Sequence, residues 1–227
     1  MLFRRRRRAK QEEAEATPVV TEEEPAPPAR TSGPWDADDP YPQADRIDLG
    51  GLRVPVRPGF EIRVSVTGDQ IDGALVLVKD SMLHLQAMAA PKRSGIWDEV
   101  RAEIAQEVEK AGGKTEEQEG PFGVELVAYM PQQEGEPQRV RYAGIDGPRW
   151  MLRAIITGRA AVDPEAAEVL ESVVRDTVVV RGDEPMPPKE PILLRLPDQA
   201  RQLIDQSGRQ EDELRPFERG PEIAETR

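Results

Sequence analysis

The run I-D-G-P-R-W-M-L-R-A-I-I-T-G-R-A, Ile145–Ala160, decides the fold. It reads as the end of one strand, a tight turn at Asp146, Gly147 and Pro148, and a second, long strand. Aspartate, glycine and proline supply the local acceptor and the backbone angles that such a turn needs. In the second strand Trp150, Leu152, Ala154 and Ile156 alternate with Met151, Arg153, Ile155 and Thr157. A period of two makes the first set one core-facing stripe. The turn residues need no functional explanation, whereas Arg149 and Arg153 have no structural reason in a hairpin.

Upstream of the hairpin the same period recurs. Arg139–Ala143 and Val124–Met130 read as strands, with a loop rich in Glu, Gln and Pro between them. Further back, Ile62, Val64 and Val66 alternate with polar neighbours, as in a half-buried strand. Ala74–Val78 is a continuous apolar run, suited to a central strand. Leu83, Leu85, Ala87 and Ala89 share one face of the next strand, with His84, Gln86 and Met88 on the other. Thr115–Glu119 is polar and precedes a turn at Gly120-Pro121.

Two stretches break the period. Trp97, Val100, Ile104, Val108 and Ala111 recur every three or four residues, which places one apolar stripe on a helix; Ser94 is its expected cap and Gly112-Gly113 its stop. Asp163-Pro164-Glu165 opens a second helix with the capping residue, the first-turn proline and the first-turn acid in order. Its inward stripe is Ala166, Val169, Leu170, Val173 and Val174. Thr177–Val180 reads as a last strand. Strands joined by turns, with two helices packed on them, predict an α+β domain: a mainly antiparallel sheet in a layered α/β sandwich over residues 47–182.

The ends differ in composition. The chain has 227 residues, 43 acidic against 31 basic, for a net charge of −12. Residues 1–46 begin with Arg4, Arg5, Arg6, Arg7 and Arg8 and continue as an acidic, proline-broken leader that lacks the apolar area to offset its ordering entropy. Residues 183–206 are proline-rich and contain Ile192, Leu193, Leu194 and Leu196, an apolar patch expected to cover an edge of its own domain or to dock on a partner. Residues 207–227 are a charged tail. Both tails are expected to be disordered.

Several chemistries are excluded. With no cysteine and one histidine, disulfides, thiol nucleophiles and tight zinc sites lack their residues. No P-loop, dinucleotide fingerprint, nucleophile elbow or H-E-x-x-H occurs. His84, alone on a strand, reads as structural. The arginines of the hairpin region read as pairing with glutamates on a solvated face, because Tyr142 lies on the other side of its strand from Arg139 and Arg141. An acidic chain is a poor non-specific ligand for phosphate backbones. No apolar run nears the roughly 18 residues of a membrane span, and no apolar segment follows the arginines as in a secretion signal, so a cytoplasmic protein is expected.

Specific blocks carry a family resemblance: R-I-D-L-G-G-L-R-V-P (46–55), A-A-P-K-R-S-G-I-W-D-E-V-R (89–101), G-P-F-G-V-E-L (120–126), G-I-D-G-P-R-W-M-L-R-A (144–154), D-P-E-A-A (163–167) and P-M-P-P-K-E-P-I-L-L-R-L-P (185–197). They resemble an actinobacterial family of unknown function, domain-of-unknown-function family 3710. That resemblance brings no activity, cofactor or catalytic residue. The element order is also similar to the PsbP-like α/β/α sandwich, whose members are mostly binding or assembly factors, an analogy at the level of fold.

The functional expectation is a non-enzymatic protein-binding or scaffold domain, with no cofactor, no metal and no catalytic set, and with a protein partner. An alternative is a small-ligand pocket with hydrolytic activity, drawing on a patch of Trp97, Arg149, Trp150 and Arg153. A second is weak nucleic-acid or membrane-surface attachment through Arg4–Arg8, where each basic residue near an anionic membrane contributes about 1 kcal/mol.

Overall fold

A computed structural model describes residues 31–92, 95–133 and 135–197. Among them the chain runs β1 (Trp35–Asp36), β2 (Arg46–Asp48), β3 (Leu52–Pro55), β4 (Glu61–Thr67), β5 (Gln70–Val78), β6 (Ser81–Ala89), α1 (Trp97–Lys110), β7 (Lys114–Gly120), β8 (Gly123–Met130), β9 (Gln138–Gly147), β10 (Trp150–Gly158), a 3-10 turn, α2 (Pro164–Asp176) and β11 (Val178–Val179). Seven strands form one antiparallel sheet in the order β4-β5-β6-β10-β9-β8-β7. A smaller sheet, β1-β11-β3-β2, packs on one face of it. The α+β reading, mainly antiparallel with two helices, holds.

The hairpin fixes the centre. Trp150 pairs with Gly147, so the loop itself is Pro148-Arg149, with Arg149 at φ 60°. Proline followed by a positive φ suits a type II turn. Trp150, Leu152, Ala154 and Ile156 are fully buried on one sheet face, where α2 and the smaller sheet cover them through Leu170, Val174, Leu52 and Val54. On the opposite face α1 lays Trp97, Val100, Ile104 and Val108 against Leu126, Ala128, Val140 and Met151. Its packing is on β7, β8 and β9. The β4-β5-β6 half of that face therefore has no helix over it.

Four readings change. The leader was expected to run to residue 46, yet β1 pairs with β11 and buries Trp35, while Asp36 accepts a hydrogen bond from the Trp150 indole. Two residues between prolines suffice because they fill the free edge of β11. Second, the capping of α1 does not come from its own N-cap side chain: the carboxylate of Asp146, some fifty residues away, accepts from the N–H of Ile96 at 2.8 Å and of Trp97 at 3.4 Å. The expected cap Ser94 lies outside the described residues. Third, Lys114–Gly120 is an edge strand, polar because only one side of it is paired. Fourth, Ala167 is buried in α2 whereas Val169 is 38% exposed.

Residues 183–197 return across the domain as a strap. β5 pairs with β6 only from Ser81 to Leu85, which leaves the backbone of Ala87–Ala89 open on that side. The strap closes it. Lys189 and Ile192 donate their N–H groups to the carbonyls of Ala89 and Ala87, and Ala89 donates to Glu190, all at 2.8 Å. Leu194 donates to Ile71, and Arg195 to Leu49. Of the tails expected to be disordered, residues 1–30 and 207–227 lie outside the described residues, as do residues 198–206 of the proline-rich segment.

Candidate functional site

Cross-strand pairing places one polar belt on the open half of the sheet. Leu75, His84, Ile155 and Tyr142 stand opposite one another across β5, β6, β10 and β9, and Gln86 stands opposite Arg153 in the neighbouring row. Directly paired residues project to the same face. By simple alternation Asp72 would point to the other face, with Ala74 and Val76. The register shifts there instead: Ser65 pairs with Gly73, then Val66 with Ile71. The extra residue is Asp72, and the bulge turns its carboxylate onto the belt.

The belt is a chain of hydrogen bonds through four strands. Thr67 donates to Asp72 Oδ2 at 2.9 Å, Gln86 donates its amide to the same oxygen at 3.3 Å, and Arg153 donates to Gln86 Oε1. Three buried polar atoms in it have no partner: Asp72 Oδ1, His84 Nε2 and Arg153 Nε. Such groups are rare in folded proteins and each calls for an explanation. Gly73 makes room for the imidazole, since a Cβ there would stand 2.4 Å from His84 Nε2.

Electrostatics follow from burial. Burial holds the His84 imidazole below its ordinary value, with Arg153 acting the same way and Asp72 opposing. Burial likewise lowers Arg153, against Tyr142, Glu107 and Asp72, and raises Tyr142. Beside the belt lies a groove of about 300 Å³ between α1 and the sheet, lined by Ile104 and Glu107 of α1, Met130 of β8, Tyr142 of β9, and Arg153 and Ile155 of β10. One wall is apolar and one end carries the guanidinium, the combination found in small-molecule sites.

The patch expected from sequence is not assembled. Trp97 and Trp150 lie on opposite faces of the large sheet, 6% and 0% exposed. The Trp97 indole donates to Val124 O at 2.7 Å, and its ring occupies the space where a Cβ on Gly144 would lie. Arg149 sits at the hairpin loop and donates to Gly182 O at 3.2 Å, which ties the turn to the chain leaving β11. Only Arg153 of that patch faces the groove. In the strap, Ile192 and Leu194 are buried in their own domain, Leu193 is exposed and Leu196 is half-buried. Burial leaves Ile192 and Leu194 unavailable to a partner. Arg4–Arg8 lie outside the described residues.

A second polar cluster, unforeseen, is buried on the α2 face. Arg141 donates to Glu125 at 2.8 and 3.0 Å and to Glu171 at 2.9 Å. Burial raises the Glu125 carboxyl despite these bonds. With the carboxylate of Glu125 1% exposed, the cluster reads as an internal brace between β8, β9 and α2 rather than a reacting centre. Among the described residues no group of three or more His, Cys, Asp or Glu is placed to hold a metal ion, and no helix is long and apolar enough to cross a membrane.

Sequence comparison adds a family. A family model described as Protein of unknown function (DUF3710) matches residues 33–203, a span that takes in β1, both sheets and the strap. No curated protein matches the sequence. Among solved structures, the solution structure of cyanobacterial PsbP (CyanoP) from Synechocystis sp. PCC 6803 is similar at a TM-score of 0.40 and 10% identity, covering 60% of this chain and 91% of that one.

Proposed function

We propose that this chain, which belongs to the family described as Protein of unknown function (DUF3710), is a binding domain whose recognition surface is the groove beside α1 and the polar belt next to it. The observation that carries the reading is the set of three partnerless buried atoms, Asp72 Oδ1, His84 Nε2 and Arg153 Nε, gathered on the open half of the sheet. Of the three, Arg153 lines the groove, and a small organic ligand there gives its guanidinium a partner and covers Ile104, Met130 and Ile155 from water. The volume, at the lower end of ligand pockets, favours a small molecule over a protein side chain cluster.

The one hydroxyl of the belt bonded to a carboxylate, Thr67 on Asp72, stands on the edge strand β4 and does not line the groove, which supports binding rather than turnover. Native mass spectrometry of the full chain, purified gently from its own host, tests the reading. A mass adduct that survives desalting and is absent from an Ile155→Asp, Met130→Asp variant supports it; an adduct retained equally by that variant contradicts it.

A further inference from the structure

We infer that the group anchored in this groove is an organic oxyanion, held by Arg153, with an apolar body lying along Ile104, Met130 and Ile155. The inference rests on the groove being the binding site and names the chemistry it selects.

Arg153 is half-buried in the middle of a central strand, and its bonded partner is a neutral one, the amide oxygen of Gln86. Among the described residues no carboxylate reaches it within ion-pair distance. Several other arginines meet carboxylates, Arg141 two of them, Arg101 Asp98 and Glu117, and Arg175 Glu168 and Glu171, whereas Arg139 shares the neutral pairing, to Gln118, but does not line this groove. A buried cation without a counter-charge is costly unless an anion arrives, and the planar fork of arginine matches carboxylate and phosphate oxygens.

The neighbours decide between candidates. Asp72 is within the electrostatic reach of Arg153, but its Oδ2 is already engaged by Thr67 and Gln86, so the relay through Gln86 aims the guanidinium without neutralising it at contact. Arg153 Nε has no acceptor in the fold, and the Arg153 side chain lines the groove. The groove extends from that end over Ile155 and Met130 toward Ile104, which suits an aliphatic or aryl body rather than a bare ion. Glu107, on the same wall, limits the charge to a small head group placed at Arg153.

Calorimetric titration of the full chain with octanoate, octyl phosphate, octanol and inorganic phosphate, each below its aggregation concentration, tests this. Octanoate or octyl phosphate is expected to bind about ten- to a hundredfold more tightly than octanol, the worth of one charge-assisted contact. Which of the two binds better separates a carboxylate source from a phosphate source. Arg153→Gln is expected to abolish the preference, Arg153→Lys to keep part of it, and Glu107→Gln to tighten both anions. The last gain does not depend on any loss of folding. Equal binding of octanol and octanoate overturns the oxyanion inference and leaves the groove reading intact. Binding of none of the amphiphiles overturns both, and inorganic phosphate binding as tightly as octyl phosphate overturns the apolar body.

Discussion

Asp146, near the end of β9 and paired with Met151 of β10, accepts hydrogen bonds from the backbone N–H groups of Ile96 and Trp97 at 2.8 and 3.4 Å, so the central hairpin also starts the helix on the sheet's far side. The free N–H groups of a helix's first turn need such acceptors, and a carboxylate also meets the positive end of the helix dipole. The wall of the groove, Ile104 and Glu107, is thereby positioned by a residue of the hairpin. Asp146→Ala is expected to lose about 1–2 kcal/mol of unfolding free energy, the usual worth of an N-cap. Asp146→Asn is expected to keep most of it. Urea unfolding of the two variants checks the order, and equal losses would contradict the capping role.

Much of the fold was legible because the hairpin strands are strictly periodic and each helix has a clean apolar stripe. Trp150, Leu152, Ala154 and Ile156 are the buried stripe that alternation predicts. What the sequence concealed depends on contacts distant along the chain. Trp35 and Asp36 are too few to show a period, and their burial comes from the free edge of β11. Asp72 joins the belt only because a bulge breaks the alternation. Arg141 reads as a solvated arginine until β9 and α2 bring Glu125 and Glu171 to it. For the groove one signal was available: Arg153 is a charged residue among Met151 and Ile155 on a central strand, and His84 and Gln86 lie on the matching face of β6. The two tryptophans pointed elsewhere because large aromatic residues suit cores as well as sites.

Arg141 is the cation between two buried carboxylates. Replacing it with methionine leaves Glu125 buried and unpaired and Glu171 with only Arg175, at 3.5 Å, and about 3–5 kcal/mol of stability is expected to go. Glu125→Gln keeps one acid and the arginine, a balanced pair, and is expected to lose clearly less. Chemical denaturation at neutral pH reads the difference; a Glu125→Gln loss as large as that of Arg141→Met would show that the network is not organised around the arginine.

His84 gives a pH signature. Its folded pKa lies below the ordinary 6.5, mainly through burial. Below pH 6.5 the unfolded chain takes up the proton first, so this group's contribution to stability falls as pH drops from 6.5 toward the lowered folded value and is level above it. The wild type is expected to lose stability relative to His84→Gln over that window. Denaturation curves between pH 5 and 7.5 check it, and parallel pH profiles for the two proteins would count against it.

The strap covers backbone that β5 leaves unpaired at Ala87–Ala89. A chain ending at Met186 is expected to expose that edge and to self-associate, since open strand edges pair with other chains. Light scattering after size exclusion measures the mass. Gly51→Val, whose side chain meets Ile192 and Leu194 at the strap's underside, is expected to make the strap cleavable by protease while octanoate affinity stays within about twofold. A truncated chain that stays monomeric with unchanged stability would contradict the covering role.

The most direct measurement of the central claim is backbone amide NMR of the isotope-labelled chain during titration with octanoate. The account predicts saturable shifts clustered at Glu107, Tyr142, Arg153 and Ile155, with the cluster lost in Arg153→Gln. Two other cavities serve as controls, one lined by Val78–Ser81 with Asp163 and Val169 and one by Gly50, Gly51 and Arg181–Met186, and shifts concentrated at either would contradict it.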